Sequence, residues 1–324
     1  EREDGGFERH AELGAEEWMA AADELVANGV SSLAFTGGEA LLREDLPLLL
    51  RHAASLKAQV LDSEDGGLKV TERPPSLYLL TNGRDVGDGV LKLLAGLGVR
   101  LSVSLPGIDT YRRHTGRYGA AEVLDLFARA SRAGVITTAN ITVTALNLHE
   151  LRRTMSAALV AGADQVLLNR FLPGGRGLGH RRELELGRED IREMLSTAGE
   201  VLAGARRFGA LGTEVPLCVA DPADHPSIRV STRCSAARKF FVVGPSGWIR
   251  VCNHSQQRLV PVARWRELPS HPYWLRFSRS DYLPEECAGC GKRGLCDAGC
   301  REAACVVSGS PAGPDPLLEG PMPV

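Results

Sequence analysis

No cysteine precedes Cys218 in this chain of 324 residues, and all eight cysteines lie between Cys218 and Cys305. A secreted scaffold held together by disulfides is typically a short chain with cysteines spread through it, so this distribution argues against one. Thiols gathered at one end of a long chain favour metal ligation instead.

Long apolar runs and a strong net charge are also missing. No segment approaches the roughly 18 apolar residues of a membrane-spanning helix, and no basic-then-apolar leader follows Glu1. The formal net charge is only −2, which is not that of a nucleic-acid-binding or membrane-surface protein. With 44% hydrophobic and 24% charged residues, the composition is that of a folded globular protein. We expect a cytoplasmic protein with neither nucleic acid nor membrane as a partner.

Short apolar strands alternate with amphipathic helices through the first two-thirds of the chain. The predicted strands are Leu33–Phe35, Leu77–Leu80, Arg100–Leu105, Thr137–Thr144, Gln165–Leu172 and Thr213–Leu217. Repeated βα units predict an α/β fold with a parallel sheet. Their even spacing favours a partial (β/α)6 TIM-like barrel, with an open doubly wound sheet as the alternative. Asp62–Pro75, which is polar and rich in Gly and Pro, is predicted to be a loop.

The composition changes near Cys218, where Pro, Cys and aromatic residues become more frequent and the helical periodicity weakens. We therefore expect a barrel domain over residues 1–215, a small cysteine-rich domain over 216–310 and a tail over 311–324. In barrels of this kind the loops after the carboxyl ends of the strands carry the chemistry.

Seven of the cysteines follow a dense pattern. It reads Cys287-x2-Cys290-x5-Cys296-x3-Cys300, preceded by Cys234 and Cys252 and followed by Cys305. Seven thiols exceed what one tetrahedral ion needs and suit two sites. On spacing alone, two structural zincs, two iron–sulfur clusters and a disulfide framework all stay open. Cys218 fits an ordinary buried thiol, and His254 fits a surface or hydrogen-bonded histidine better than a ligand.

Two stretches resemble motifs of one enzyme superfamily. Phe35-Thr36-Gly37-Gly38-Glu39-Ala40 resembles the GGE motif of radical S-adenosylmethionine (SAM) enzymes. The cysteine pattern, with Gly247 five residues before Cys252, resembles the superfamily's C-terminal SPASM extension, and Ala298-Gly299-Cys300-Arg301 resembles that extension's GGCR stretch. The resemblance implies an enzyme in which a [4Fe–4S] cluster binds SAM. One electron then cleaves the C–S bond of SAM to give a 5′-deoxyadenosyl radical, which abstracts a substrate hydrogen.

The resemblance also implies SAM contacts at the strand ends. Gly37 and Gly38 would let the backbone approach SAM closely, and Glu39 would accept a charge-assisted hydrogen bond from the SAM ammonium. The candidates for further polar contacts are Thr81, Asn82, Ser104, Asn140 and Asn169. The alternative role of such polar side chains is capping of their own loops.

By the same resemblance, the C-terminal thiols would hold two auxiliary [4Fe–4S] clusters. Auxiliary cluster I would take Cys234, Cys252 and Cys300, because in the family the last cysteine of the quartet crosses over to the first cluster. Auxiliary cluster II would take Cys287, Cys290, Cys296 and Cys305. Relatives often have a further cysteine between the first pair. Its lack here would leave cluster I with an open iron or a non-cysteine ligand, such as His254 or the substrate.

The chain departs from the family pattern at three places. The Cys-x3-Cys-x2-Cys loop that holds the SAM cluster is not among these residues, and we expect it, with the first barrel strand, before Glu1. The rival hypothesis is a chain that never had that cluster. Ala40 replaces the usual proline after GGE, which loosens the turn without removing a ligand. Asn253 stands where sulfatase-maturing relatives carry an aspartate base, which discounts that activity.

The resemblance suggests three functions. SPASM-bearing relatives mostly modify ribosomally made peptides, so the first is maturation of a peptide by cross-linking, thioether formation, epimerisation or oxidation. The second is a dehydrogenase or decarboxylase of a small molecule, and the third is a non-catalytic metal-binding partner. The expected partners are a precursor peptide, a separate leader-binding protein and an electron donor such as flavodoxin or ferredoxin. Arginines at 112–117 and 176–182 would face an acidic leader peptide or a carboxylate, or would simply be solvated.

Overall fold

The computed structural model describes residues 12–64 and 67–318. The strands are β1 (Ser32–Phe35), β2 (Ala58–Glu64), β3 (Gly67–Arg73), β4 (Ser76–Thr81), β5 (Arg100–Ser104), β6 (Thr137–Val143), β7 (Gln165–Arg170), β8 (Gly209–Leu211), β9 (Ile228–Arg229), β10 (Val242–Val243) and β11 (Ile249–Arg250). The α-helices are α1 (Ala15–Ala27), α2 (Leu46–Ser55), α3 (Asp88–Leu97), α4 (Tyr111–Thr115), α5 (Ala120–Arg132), α6 (Leu151–Val160), α7 (Arg181–Leu184), α8 (Arg188–Ala205), α9 (Pro272–Ser278) and α10 (Arg301–Ser308).

Seven strands form one parallel sheet in the order β1-β4-β5-β6-β7-β8-β9. Each new strand is added beside the previous one, as expected when successive βα units wind in one direction. The α/β class and the parallel sheet predicted from the sequence are confirmed. Because all strands run the same way, their carboxyl ends lie at one edge, where the candidate site residues gather.

Alternation along the strands explains how the sheet is covered by helices. In β5 the residues Leu101 and Val103 are fully buried, and in β7 the residues Val166 and Leu168 are buried in the same way. The β5 side chains share one apolar cluster with the buried face of α5, which consists of Val123, Leu126, Phe127 and Ala130, whereas the β7 side chains share another with the buried face of α8. The residues between them on each strand face the opposite side of the sheet. That inner side carries the polar candidates Ser104, Asn140 and Asn169.

Two local predictions are wrong. The segment Asp62–Pro75, predicted to be a loop, contributes to an antiparallel hairpin of β2 and β3. Its second strand is almost wholly exposed, so neither face carries the apolar alternation by which a strand is recognised in a sequence. The strand predicted at Thr213–Leu217 instead lies at Gly209–Leu211. The Thr213 hydroxyl accepts a hydrogen bond from the Arg170 backbone N–H at 3.1 Å, which makes it a cap for β7.

The C-terminal part has its own apolar cluster, built around Ile249, Val251, Phe277 and Tyr282. Helix α1 contacts this part, because the Trp265 indole N–H donates to the Glu24 carboxylate of α1 at 3.0 Å. The division at residues 215 and 310 stays a prediction. Within the part of the chain that the structure describes, no helix combines the length and apolar character needed to cross a bilayer.

Candidate active site and thiol groups

The loop after β1 is organised by the Glu39 carboxylate. One oxygen accepts a hydrogen bond from the Asn82 backbone N–H at 2.9 Å, and the other accepts one from the Leu41 backbone N–H at 3.3 Å. The carboxylate therefore bridges the loops that follow β1 and β4, which are neighbours in the sheet. A carboxylate has about four lone-pair sites, so two bonds leave room for a cationic ligand.

The two glycines before Glu39 have different local conformations. Gly37 has a φ of +145°, a conformation that side chains rarely adopt, whereas Gly38 has an ordinary φ. A Cβ placed on either residue would meet no atom within 4 Å. The backbone here is therefore open on its outer side, which leaves room for a ligand to lie directly against it.

Thr81 and Asn82 both take part in their own turn. The Thr81 hydroxyl accepts from the Gly83 N–H at 3.1 Å, and the Asn82 side-chain oxygen accepts from the Arg84 N–H at 2.9 Å. Thr81 is buried on the same side of β4 as Leu77 and Leu79, away from the inner side of the sheet. Both side chains therefore cap their own loop, which is the alternative role that the sequence leaves open for them.

Three polar candidates share the inner side of the sheet near its carboxyl edge. Ser104 at the end of β5 lies beside Asn140 of β6 in the register. The Asn169 side-chain amide of β7 donates to the Asn140 side-chain oxygen at 2.9 Å. The three residues form a polar row on adjacent strands, and Ser104 is exposed to solvent.

Three of the predicted ligands, Cys234, Cys252 and Cys300, form what we call the inner thiol group. All three are buried. Burial raises the pKa of the Cys234 and Cys252 thiols, and the nearby Cys300 thiol raises both further. Burial also raises the pKa of Cys300 to about 12. Three buried neutral thiols side by side are a soft donor set that would lose protons on binding iron or another soft metal.

Two buried carboxylates hold the backbone of the inner thiol group. The Cys234 N–H donates to Asp297 at 2.8 Å, and the Cys300 N–H donates to Asp315 at 2.7 Å. Asp315 is also paired with the buried guanidinium of Arg170 at the end of β7. This ion pair connects the parallel sheet to the thiols, so the inner thiol group has a fixed position relative to the carboxyl edge of the sheet.

Sequence reasoning gave no role to Glu214, which borders the inner thiol group. Burial raises the pKa of this carboxyl group. Its charge in turn contributes to the raised pKa of Cys234 and of Cys300, which places it beside both thiols. The residues around Glu214 form no recognisable ligand motif in the sequence. Its position beside the two thiols is therefore seen only in the folded chain.

The other dense part of the pattern forms a second group of thiols. Burial raises the pKa of Cys287, and the thiols of Cys296, Cys218 and Cys290 raise it further, in that order. Burial likewise raises the pKa of Cys218, with further contributions from Cys296 and Cys290. We call Cys218, Cys287, Cys290 and Cys296 the outer thiol group, since none of the four is buried.

Cys305 lies in a different environment, on α10. Burial raises the pKa of its thiol, Glu302 raises it further, and the Tyr273 hydroxyl and Arg276 lower it. The Tyr273 hydroxyl also donates to Glu302 at 2.9 Å. The electrostatic neighbours of Cys305 are thus on α9 and α10, not in the outer thiol group to which the family pattern would assign it.

His254 and Asn253 follow Cys252 directly and are exposed. The surroundings lower the pKa of His254, first through desolvation and then through the positive charges of Arg170 and Arg250.

The arginines singled out in the sequence follow β5 and β7, as predicted from the strand order. Arg113, Arg117, Arg176 and Arg182 are exposed. Arg112 lies over the Tyr118 ring at 4.7 Å and donates to its hydroxyl at 2.7 Å. His114 joins two loops, since its Nε2 lies 2.9 Å from the Thr144 hydroxyl.

Among residues 12–64 and 67–318, no three His, Cys, Asp or Glu side chains are close enough to hold one metal ion. A single ion holds each thiolate at about 2.3 Å, whereas the ligands of a [4Fe–4S] cluster bind separate irons and lie farther apart. Thiols dominate both groups, although the Glu214 carboxylate also lies beside two thiols of the inner group, and thiolates are the donors that iron–sulfur clusters use.

Comparison with known proteins identifies the first half of the chain. Residues 2–158 match the family model of the Radical SAM superfamily. The chain carries a radical SAM domain. Such a domain uses SAM together with a [4Fe–4S] cluster. The open loop at Gly37 and Gly38, the held Glu39 and the polar row all lie at the carboxyl edge of the parallel sheet.

Curated relatives and solved structures extend the likeness beyond the radical SAM domain. A PqqA peptide cyclase of Granulibacter bethesdensis is 25% identical over 315 residues, which cover 92% of this chain and 76% of the relative. One from Xanthomonas euvesicatoria pv. vesicatoria is 27% identical over 316 residues, covering 93% and 78%.

Among solved structures, Streptococcus suis SuiB bound to S-adenosylmethionine superposes with a TM-score of 0.71 at 15% identity, covering 97% of this chain and 72% of SuiB. Native anSMEcpe with bound AdoMet and a Cp18Cys peptide gives 0.66 at 16% identity, covering 90% and 81%. These structures share the fold of this chain over nearly its whole length.

Proposed function

We propose that this protein is a radical SAM enzyme that modifies a ribosomally synthesised peptide, with two auxiliary iron–sulfur clusters in its C-terminal part. The observation that carries the proposal is the gathering of the thiols into two separate groups, one of them joined to the carboxyl edge of the radical SAM domain by Arg170 and Asp315. Relatives named PqqA peptide cyclase, and a SuiB structure bound to its precursor peptide SuiA, support a peptide as the substrate class.

When bound, SAM and its cluster supply a carbon radical that abstracts a hydrogen atom from the substrate. The residues of this chain bind and orient. Glu39, held by two backbone amides, would accept a hydrogen bond from the SAM ammonium, and the open backbone at Gly37 and Gly38 would let the ligand lie against it. Ser104, Asn140 and Asn169 provide a polar lining toward which the substrate is placed.

The auxiliary clusters bind at the two thiol groups. The inner thiol group, with Cys234, Cys252 and Cys300, holds auxiliary cluster I next to the sheet. Cys287, Cys290 and Cys296 contribute to auxiliary cluster II nearer the surface. Clusters held at these two positions would supply electron transfer to the chemistry of the site.

The surface around the outer thiol group suits an acidic electron donor such as flavodoxin or ferredoxin. A cavity of about 430 Å³ beside Cys296 is lined by Arg233, Arg238 and Arg279, together with Asp297, which pairs with the first two of these arginines. Arg233 and Arg279 are exposed, as are Lys292 and Arg293 of the loop that carries the thiols. Positive charge around a partly exposed cluster would speed encounter with a negatively charged partner.

The exposed arginines after β5 and β7 suit an acidic segment of the precursor peptide. They lie at the carboxyl edge of the sheet, where the substrate must enter, and they come from two loops that flank the polar row. A separate leader-binding protein would add to this contact, since long-range attraction alone gives little sequence specificity.

The test uses full-length protein, purified and reconstituted without oxygen. With a reductant and SAM, we expect 5′-deoxyadenosine to form, and the yield to rise when a precursor peptide encoded near the gene is added. Mass spectrometry of that peptide then shows the modification. Abundant 5′-deoxyadenosine with a small molecule but not with the peptide would favour a dehydrogenase or decarboxylase. Lack of 5′-deoxyadenosine from protein with full iron content would favour a non-catalytic metal-binding role.

A further inference from the structure

We infer that Cys218 is the fourth cysteine ligand of auxiliary cluster II, in the position that the sequence pattern assigns to Cys305. The inference rests on the auxiliary clusters of the proposed function and concerns which thiol completes the outer one. It depends on where the fold places a cysteine that lies 69 residues before Cys287 in the chain.

The turn that carries Cys218 is held against the loop that carries the other thiols. The Leu217 backbone N–H, directly before Cys218, donates to the Cys296 sulfur at 3.4 Å. On the other side, Asp221 lies 3.8 Å from the Lys292 ammonium. These contacts flank Cys218 at both ends of a short turn and keep that turn beside the residues between Cys290 and Cys296.

Other hydrogen bonds close this turn and attach it to helix α8. The Pro216 carbonyl accepts from the Val219 N–H at 2.9 Å, which closes the turn. The Val219 carbonyl accepts from the Arg192 guanidinium of α8 at 3.0 Å. A ligand on such a turn is held in place by the backbone around it, as preorganised metal sites require.

The partner loop is fixed on the same side. The Thr232 hydroxyl donates to the Leu295 carbonyl at 2.7 Å, and the Asp297 N–H donates to the Thr232 carbonyl at 2.9 Å. Cys296 is thus held between the turn at 216–220 and the segment at 232. Its sulfur accepts a second bond from the Ala298 N–H at 3.3 Å. Hydrogen bonds to a ligating sulfur are typical of iron–sulfur sites, because they stabilise the thiolate.

The four thiols of the outer thiol group match the cysteine count of one [4Fe–4S] cluster. Cys218 is exposed, so a path for iron and sulfide exists, and on ligation its thiol gives up its proton to solvent. Cys305 does not share this setting, since its neighbours are Glu302, Tyr273 and Arg276.

The experiment compares three serine variants of the full-length, anaerobically reconstituted protein. Cys290→Ser removes a ligand on which the sequence pattern and the structure agree, Cys218→Ser tests the inference, and Cys305→Ser tests its competitor. Iron per chain is measured after exposure to a chelator, together with the Mössbauer spectrum. We expect Cys218→Ser to match Cys290→Ser, each losing about four irons per chain or yielding a three-iron cluster, while Cys305→Ser keeps the wild-type spectrum.

A Cys218→Ser protein with wild-type iron and spectrum would overturn the inference while Cys290→Ser still loses its cluster. If Cys290→Ser also keeps all its iron, the auxiliary cluster itself is absent and the proposed function fails at that point. A second measurement needs no variant. In wild-type protein, the exposed Cys218 thiol should resist alkylation until the iron is removed, as identified by peptide mass spectrometry. Rapid alkylation of Cys218 in the iron-loaded protein would contradict the inference independently of how well the variants fold.

Discussion

The Glu39 carboxylate accepts a hydrogen bond from the Asn82 backbone N–H at 2.9 Å and thereby fixes the loop after β1 to the loop after β4. A carboxylate placed in this way does not have to be reoriented when a cation binds to it. Such preorganisation raises affinity by removing an ordering cost. The affinity of this loop for SAM can be tested on that basis.

Replacing Glu39 should weaken SAM binding. In Glu39→Gln one side-chain oxygen can still accept from a backbone amide, but the negative charge that faces the SAM ammonium is lost. A charge-assisted hydrogen bond is worth about 1.5–3 kcal/mol, so we expect the Kd for SAM to rise about 10- to 100-fold in calorimetry. Glu44→Gln removes an exposed charge five residues away and serves as the matched control. Equal effects of both changes would mean that net charge, not the position of Glu39, matters.

The two glycines of the loop should respond differently to alanine. Gly38→Ala meets no steric obstacle in the fold and has an ordinary φ, so its free energy of unfolding should stay close to that of the wild type. If SAM lies against this backbone, the added methyl group lowers SAM affinity. Gly37→Ala is strained by the φ of +145° and should lose about 1 kcal/mol or more of stability. Urea unfolding and SAM titration on both variants separate these effects. Unchanged SAM affinity in Gly38→Ala would place the ligand elsewhere.

The strand order and the strand-end positions follow from local signals in the sequence. Short segments rich in apolar residues, each followed by Thr, Gly or Pro, mark β1, β4 and β5, and a helical period marks α5 and α8. The sequence does not predict the hairpin of β2 and β3, because most side chains of β3 are exposed and neither face of that strand is buried. Periodicity reports burial, so a strand that buries little leaves no pattern to read.

The thiols show where sequence spacing stops being informative. Cys287, Cys290 and Cys296 come together because a few residues of turn can bring neighbours to one site. Cys218 reaches the same place only through the turn after β8 and the bond from Leu217 to Cys296, neither of which the cysteine spacing encodes. The same holds for Glu214, which lies beside Cys234 because two distant segments pack together.

Breaking the ion pair between Arg170 and Asp315 should be strongly destabilising. Their side chains are only 2% and 0% exposed, so Asp315→Ala leaves a buried guanidinium without its partner. Such changes cost about 3–5 kcal/mol. Urea unfolding should show this loss. The double change Arg170→Met with Asp315→Leu should recover part of it, because no unpaired charge stays behind. Arg152→Ala, in an exposed pair with Glu200, should leave the stability almost unchanged.

Exchanging glycine and alanine at the two positions before Cys300 should change the free energy of unfolding in opposite directions. Gly299 has a φ of +86°, and a Cβ there would lie 2.5 Å from an Asp315 carboxylate oxygen. Gly299→Ala should therefore lose about 2–4 kcal/mol and disturb iron loading at the inner thiol group. Ala298 has a φ of +57°, so Ala298→Gly should gain up to about 1 kcal/mol. Gly289→Ala, at an open position with ordinary φ, is the control. Thermal unfolding of the three iron-loaded variants measures the expected loss and the expected gain of stability, and iron analysis measures the loading.

Glu150 should make the stability of the domain depend on pH. Burial alone would raise its pKa, but hydrogen bonds from the Thr110 hydroxyl and from the backbone amides of Asp109 and Thr110 outweigh burial, so the pKa lies below its ordinary value. A carboxyl group whose pKa is lower in the folded state contributes stability above its unfolded pKa of about 4.3. That contribution is lost as the pH falls through the folded value, since protonation removes the acceptor that these donors need. Glu150→Gln should therefore lose about 1–3 kcal/mol at pH 7, and this loss should shrink as the pH falls below about 4.3 and the wild type takes up its proton. Urea unfolding of both proteins from pH 7 to pH 3 measures the difference, and a gap that stays constant over this range would assign the effect to packing rather than to the charge.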